Sequence, residues 1–239
     1  MTLHKSFLTV MVLAITSQLA VSQSFQKFQA QLVTKNFHNG KTLTSTGEVA
    51  YTGAGKMITH LRSPQEGYTI NTAKGEVSIY TPKTKEVYTL QNTQYSTENS
   101  QLYFFLQNKK NDLGLKNMGF TLKNTRYDKD LVITQWQPPI QASNVLKEVE
   151  LVHQGYLPIY MSYTDAKSRI VKKMYFYNYT NISGVDFPQA ITQIDYPFAG
   201  DSIVSKNAYS DLKINAQATS GLFDFTVPRN AKVIKSAKK

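Results

Sequence analysis

The residues Gly55-Lys-Met-Ile-Thr-His-Leu-Arg-Ser-Pro64 are followed by Gly67-Tyr-Thr-Ile70, then Gly75-Glu-Val-Ser-Ile-Tyr-Thr-Pro-Lys83 and Glu86-Val-Tyr-Thr-Leu90. Met57, Thr59 and Leu61 alternate with their neighbours, and the later segments keep the same period of two. That period is the signature of strands, whose side chains point alternately to opposite faces. Short breaks at Pro64, Gly75 and Pro82 predict hairpin turns, so this stretch reads as an antiparallel meander.

Downstream, strand-like stretches recur at Thr121 to Tyr127, Leu131 to Gln137, Val145 to Val152, Leu157 to Tyr163 and Arg169 to Tyr179. Ala190 to Tyr196, Ser202 to Tyr209 and Leu222 to Val227 follow. Two segments break the period. In Ser24-Phe-Gln-Lys-Phe-Gln-Ala-Gln-Leu-Val33, Phe25, Phe28 and Leu32 fall at i, i+3 and i+7, which predicts a short helix. In Ser96-Thr-Glu-Asn-Ser-Gln-Leu-Tyr-Phe-Phe-Leu106, Leu102, Phe105 and Leu106 share a helical face behind Ser96 or Thr97 as N-cap, with Glu98 in the first turn. Roughly ten strands with regular turns and no linker predict one antiparallel sheet, strongly curved or closed, in a single domain over 23–239.

The N-terminus reads as an export signal. His4 and Lys5 precede the apolar run Phe7 to Ile15, and Ala20 and Ser22 have the spacing of a cleavage site. A membrane span takes about 20 apolar residues, so a cleaved signal peptide over 1–22 is the expectation. The chain of 239 residues has no cysteine, which excludes a disulfide scaffold, a thiolate metal site, a catalytic thiol and a lipid-modified N-terminal cysteine. With 41% hydrophobic and 12% aromatic residues, it is too apolar to be disordered.

The net charge is +11, or +10 once Lys5 leaves with the signal. Its lysines are dispersed, with Lys109-Lys110, Lys172-Lys173 and the tail from Lys232 as the only clusters. No nucleic-acid-binding motif accompanies them, so no nucleic-acid partner is expected. A solvated surface with some attraction to anionic membrane is the better reading, and the tail reads as a frayed terminus.

Catalytic constellations are missing from the sequence. His4, His38, His60 and His153 form no metal-spacing pair, and no phosphate-binding loop, dinucleotide fingerprint or nucleophile elbow is present. Asp128 with Asp130 and Glu148 with Glu150 read as exposed hairpin charge. The pairs Asn178-Tyr-Thr180 and Asn181-Ile-Ser183 fit a glycosylation pattern at near-chance frequency. A non-enzyme without metal or cofactor is expected.

The run Gly55 to Pro64, with Gly75-Glu-Val-Ser-Ile-Tyr-Thr-Pro-Lys83 and Glu86-Val, resembles the LolA-type periplasmic carriers of outer-membrane lipoproteins. In that family two strands ending at a proline precede a glycine-led hairpin that closes on Tyr-x-Pro. Phe223-Asp-Phe-Thr-Val-Pro228 looks like the family's last strand, and the order of motifs and the interposed helix also match. The segment from Thr134 to Tyr196 looks like the longer, divergent members of Bacteroidetes-type bacteria.

The resemblance implies a mainly β fold: an incomplete, half-open antiparallel β-barrel with a few helices covering an apolar cavity. It implies a monomeric, soluble periplasmic chaperone that shelters the acyl chains of lipoproteins. It further implies an inner-membrane lipoprotein-release transporter as donor and an outer-membrane acceptor. The lipid-binding cavity candidates are Met57, Leu61, Ile70, Ile79, Val87, Leu102, Phe105, Leu106 and Trp136. Where better-known carriers hold a lid-latching arginine, this chain has Gly53, so either another group such as Arg62 holds the lid or the cavity rests open. The alternative is an exported β-sheet binding protein for another lipid, a protein or a glycan. In that reading Met174-Tyr-Phe-Tyr-Asn-Tyr179 would present an aromatic platform, although burial on two faces would explain the same residues.

Overall fold

The computed structural model describes residues 25–92, 95–197 and 200–234. The proposed signal over 1–22 and the last lysines, Lys235, Lys238 and Lys239, lie outside them. Two meanders make up one sheet. The first comprises β1 (Lys27–His38), β2 (Lys41–Thr52), β3 (Met57–Ser63), β4 (Gly67–Asn71), β5 (Glu76–Thr81) and β6 (Glu86–Gln91). The helix α1 (Gln101–Leu106) comes next. The second meander begins with β7 (Thr121–Asp128), β8 (Leu131–Gln137), β9 (Leu146–Gln154) and β10 (Leu157–Asp165). It ends with β11 (Ile170–Ile182), β12 (Val185–Asp195) and β13 (Ile203–Ile214), and the short β14 (Lys232–Ile234) is last.

The order across the 14-stranded sheet is β14-β6-β5-β4-β3-β2-β1-β13-β12-β11-β10-β9-β8-β7. The β1–β13 pairing joins the two meanders, and β14 lies parallel to β6. The two ends of this order, β14 and β7, are not paired with each other, so the barrel is open as expected.

Register defines an inner and an outer face. Directly paired residues share a face, so Phe28, Tyr51 and Met57 lie together, as do Ala30, Val49 and Thr59. The same face continues through Tyr209 opposite Leu32, Ile191 opposite Asn207, Phe176 opposite Ile191, and Trp136 opposite Val149. These side chains form the main core together with Leu102, Phe105 and Leu106 of α1 and with Leu113 and Leu115 beyond it. Burying each large apolar side chain stabilises by roughly 1.5–3 kcal/mol. Phe105 is fully buried, with its ring 5.4 Å from Phe176 and 6.3 Å from Phe187.

Four expectations need correction. The helix expected at Ser24 to Val33 is the start of β1. Phe28, Ala30 and Leu32 also satisfy a period of two, and long pairings with β2 and β13 outweigh a three-residue helical match. A hairpin signal supports this: Asn39 and Gly40 both have positive φ, as a two-residue turn of the primed type needs. The predicted helix from Ser96 splits into a 3-10 turn at Thr97–Asn99 and the six-residue α1, because Ser100 interrupts it and accepts the Tyr103 amide as N-cap at 3.2 Å. It is the only α-helix among the described residues, accompanied by short 3-10 turns.

The strand expected over Leu222 to Val227 is a 3-10 turn at Gly221–Asp224 and an irregular run. Its apolar residues pack onto the outer face instead of adding to an edge. The final strand is β14, drawn from the segment read as a frayed tail; Lys232 N–H donates to the Lys85 carbonyl at 2.8 Å.

Candidate functional site

The inner face is roofed by α1 and the loop over 107–120. Gly114 in that loop has φ +79°, and a Cβ there would come within 2.2 Å of the Phe104 ring, so only glycine lets the loop close so tightly on the helix. Lys110, buried in the same loop, donates to Asp186 Oδ2 at 2.7 Å, and its carbonyl lies 3.0 Å from His153 Nε2. Burial raises the Asp186 pKa, but the hydrogen bonds from Lys110 and Asn181 outweigh it and hold the carboxyl below its usual range. Desolvation lowers the His153 pKa, so that ring is neutral at neutral pH. The loop is thus tied to β9 and β12.

The roof does not cover the whole face. Between the start of α1 and the first-meander strands lies an open cleft of about 520 Å³. One wall is Leu32, Thr34, Val49, Met57, Thr59 and Leu61 from β1–β3; the second is Ile191, Asn207 and Tyr209; Ser100, Gln101 and Leu102 form the roof edge. None of these side chains is charged. Two of the polar ones are partnered within the protein: Thr34 Oγ1 donates to Asn207 Oδ1 at 2.8 Å, and Ser100 Oγ donates to the Thr97 carbonyl at 2.8 Å. Burial pushes the Tyr209 phenol up to about 12, so this wall stays neutral through any physiological pH.

Such a lining can hold an apolar chain. The volume falls within the roughly 300–1,000 Å³ of small-molecule sites. Beyond the helix a second, more enclosed cavity of about 150 Å³ lies against Met161, Tyr163 and Met174. A further groove of about 340 Å³ runs beside Pro138, Ile140 and Lys147.

Of the nine candidate cavity residues, Met57, Leu61 and Leu102 line the cleft. Phe105, Leu106 and Trp136 belong to the packed core behind it, and Trp136 Nε1 donates to Thr134 Oγ1 at 2.9 Å. Ile79 shares the inner face but is 42% exposed on β5. Ile70 and Val87 lie on the outer face, because Ile70 pairs with Ile58 and Val87 with Tyr80, which pairs with Tyr68. Sequence reasoning missed Leu32, Val49, Ile191 and Tyr209. Leu32 and Tyr209 face each other across 177 positions of sequence, and no local pattern carries that register.

Arg62 is also on the outer face. It donates to Gln31 Oε1 at 2.8 Å and Glu48 Oε2 at 2.9 Å, with the sheet between it and α1, so it does not latch the roof. At Gly53 a Cβ would approach Gln26 Oε1 to 2.7 Å, so any side chain there would have to displace Gln26. In β11 the Tyr-rich run splits by face: Met174 and Phe176 are buried, Tyr175 is 37% exposed, and Tyr177 shares a 2.9 Å hydrogen bond with Thr192. Among the described residues no group of three or more His, Asp or Glu could hold a metal ion, and no helix is long and apolar enough to cross a membrane.

No family model and no curated protein matches the chain. Solved structures do. A LolA superfamily protein from Nitrosomonas europaea superposes with a TM-score of 0.57 at 16% identity, over 84% of this chain and 90% of that one. A DUF1329 family protein from Desulfovibrio piger gives 0.59 at 15%, over 84% and 91%. A putative outer-membrane lipoprotein-sorting protein domain from Vibrio parahaemolyticus gives 0.56 at 13%, over 83% and 89%. At such identities the likeness is one of architecture: this chain has the open antiparallel β-fold of the LolA superfamily and of an outer-membrane lipoprotein-sorting domain.

Proposed function

We propose that this protein is a periplasmic carrier that shelters the acyl chains of lipoproteins in the cleft and conveys them toward the outer membrane. The single observation that carries this reading is an open, uncharged cleft of about 520 Å³ under α1, on a fold of the lipoprotein-sorting kind. Each methylene withdrawn from water is worth about 0.8 kcal/mol, so a lipidated cargo needs such shelter to cross an aqueous gap. An inner-membrane release transporter and an outer-membrane acceptor would be its partners.

The volume favours a second, narrower reading, a carrier of single-chain amphiphiles. A cleft of about 520 Å³ is within the roughly 300–1,000 Å³ range of sites that take a single small-molecule ligand, which suits one chain better than three. Native mass spectrometry of the exported protein tests both readings. Acylated lipoprotein bound to the wild type, and lost at least tenfold in Leu61→Glu, supports the carrier. A bound fatty acid or lysolipid supports the narrower reading, and no acyl cargo in either form overturns both.

A further inference from the structure

Gln101 is the one residue that lines both the cleft and the enclosed cavity behind α1. It is the first residue of the helix, at the roof edge, and its Nε2 donates to Met174 Sδ at 2.9 Å. Met174 is buried on the inner face of β11 and forms part of the enclosed cavity's wall. The Gln101 side chain therefore stands between the two spaces, moored to the far one. A hydrogen bond from an amide to a thioether is a weak tie, since the sulfur is a poor acceptor.

Behind this partition the cavity is lined by five apolar side chains together with Tyr163 and Lys172, whose ammonium group pairs with Asp195 at 3.5 Å. The five are Phe104, Leu113, Met118, Met161 and Met174, and methionines fill irregular space and re-pack readily. A cavity of about 150 Å³ adjoining an open cleft is where the end of a longer chain would go if the partition were absent. On the reading of the cleft as an acyl-chain site, we propose that Gln101 is a specificity-determining residue that sets the length of chain accepted. Its side chain ends the cleft, and chains too long for the cleft leave their last methylenes in water.

The test measures competition by saturated fatty acids of increasing length against a dansylated fatty-acid probe, with wild type, Gln101→Ala and Gln101→Met. Wild-type affinity rises with length and then levels off. In Gln101→Ala the plateau moves to longer chains, and each added methylene that enters the opened cavity tightens binding about fourfold. Gln101→Met keeps the volume without the amide and restores the wild-type plateau, which separates obstruction from hydrogen bonding. The same plateau in Gln101→Ala and wild type, with both folded by thermal melting, overturns the inference and leaves the acyl site intact. A plateau in Gln101→Met that matches Gln101→Ala overturns obstruction as the cause. No binding of any chain by the wild type overturns the acyl reading itself, and this inference with it.

Discussion

Strands β2–β4 carry apolar side chains on both faces, and the two faces meet different neighbours. On the outer face Ala50, Ile58 and Leu222 form a small core, with Tyr68, Ile70, Phe223 and Phe225 against it. Phe225 lies flat on Tyr68 at 4.1 Å, and His60 stacks on Tyr68 at the same distance. The segment that seals this face is held by Lys56, whose Nζ donates to the carbonyls of Phe225 at 2.9 Å and Phe223 at 3.5 Å. On the inner face of the same strands, Met57 and Leu61 meet the roof only at its edge, and a cleft remains. Adjacent residues of one strand, Met57 and Ile58, thus separate a candidate site from a structural core. An apolar strand face becomes a core or a site according to whether another part of the chain covers it.

The comparison predicts different penalties on the two faces. Ile58→Ala on the sealed face should cost about 2–5 kcal/mol in urea unfolding, with acyl uptake per folded molecule unchanged. Leu61→Ala on the open face should cost under about 1 kcal/mol, because it leaves no closed void, yet weaken uptake roughly tenfold. Equal stability losses at the two positions would show that the cleft is packed in solution.

Smaller effects sharpen the same contrast. Lys56→Met frees the carbonyls of Phe223 and Phe225 and should lower stability by about 1–2 kcal/mol. It should also raise protease cleavage around 221–228 without altering uptake. Alkaline pH probes the open face. The phenol of Tyr209 titrates near 12 in the folded protein because burial disfavours its charged form, against about 10 unfolded. Above pH 10 the unfolded chain loses this proton first, so the contribution of this group, complete below pH 10, falls as pH rises toward 12. Tyr209→Phe should flatten that part of the stability–pH curve, measured by unfolding at pH 9 and 11. Tyr163, also pushed up to about 12 by burial, keeps some of the slope.

Much of the fold was legible because strands advertise themselves locally. Leu131 to Gln137 matches β8 as read, and the segments from Met57 to Leu90 match β3–β6 within a few residues. The misreadings share one cause. Phe25, Phe28 and Leu32 fit two periods at once, and Leu222, Phe223 and Phe225 look like a strand because a segment lying across a sheet face needs similar apolar spacing. Of the candidate site, Met57, Leu61 and Leu102 could be picked out from the sequence. Ile70 and Val87 could not be assigned correctly, since a turn of one residue more or less reverses which face a strand shows.

By itself, the sequence determined a mainly β chain without cysteine and without a local catalytic motif, its meanders punctuated by Pro64, Gly75 and Pro82. Those properties depend on residue types and on spacings within about ten positions. Only the tertiary structure decided that Leu32 meets Tyr209, that residues 222–225 seal the outer face, and that α1 stops short of covering Met57 and Leu61. The reason is physical: alternation specifies that a strand has an apolar face, whereas cover for that face comes from distant segments whose register and reach no local pattern encodes.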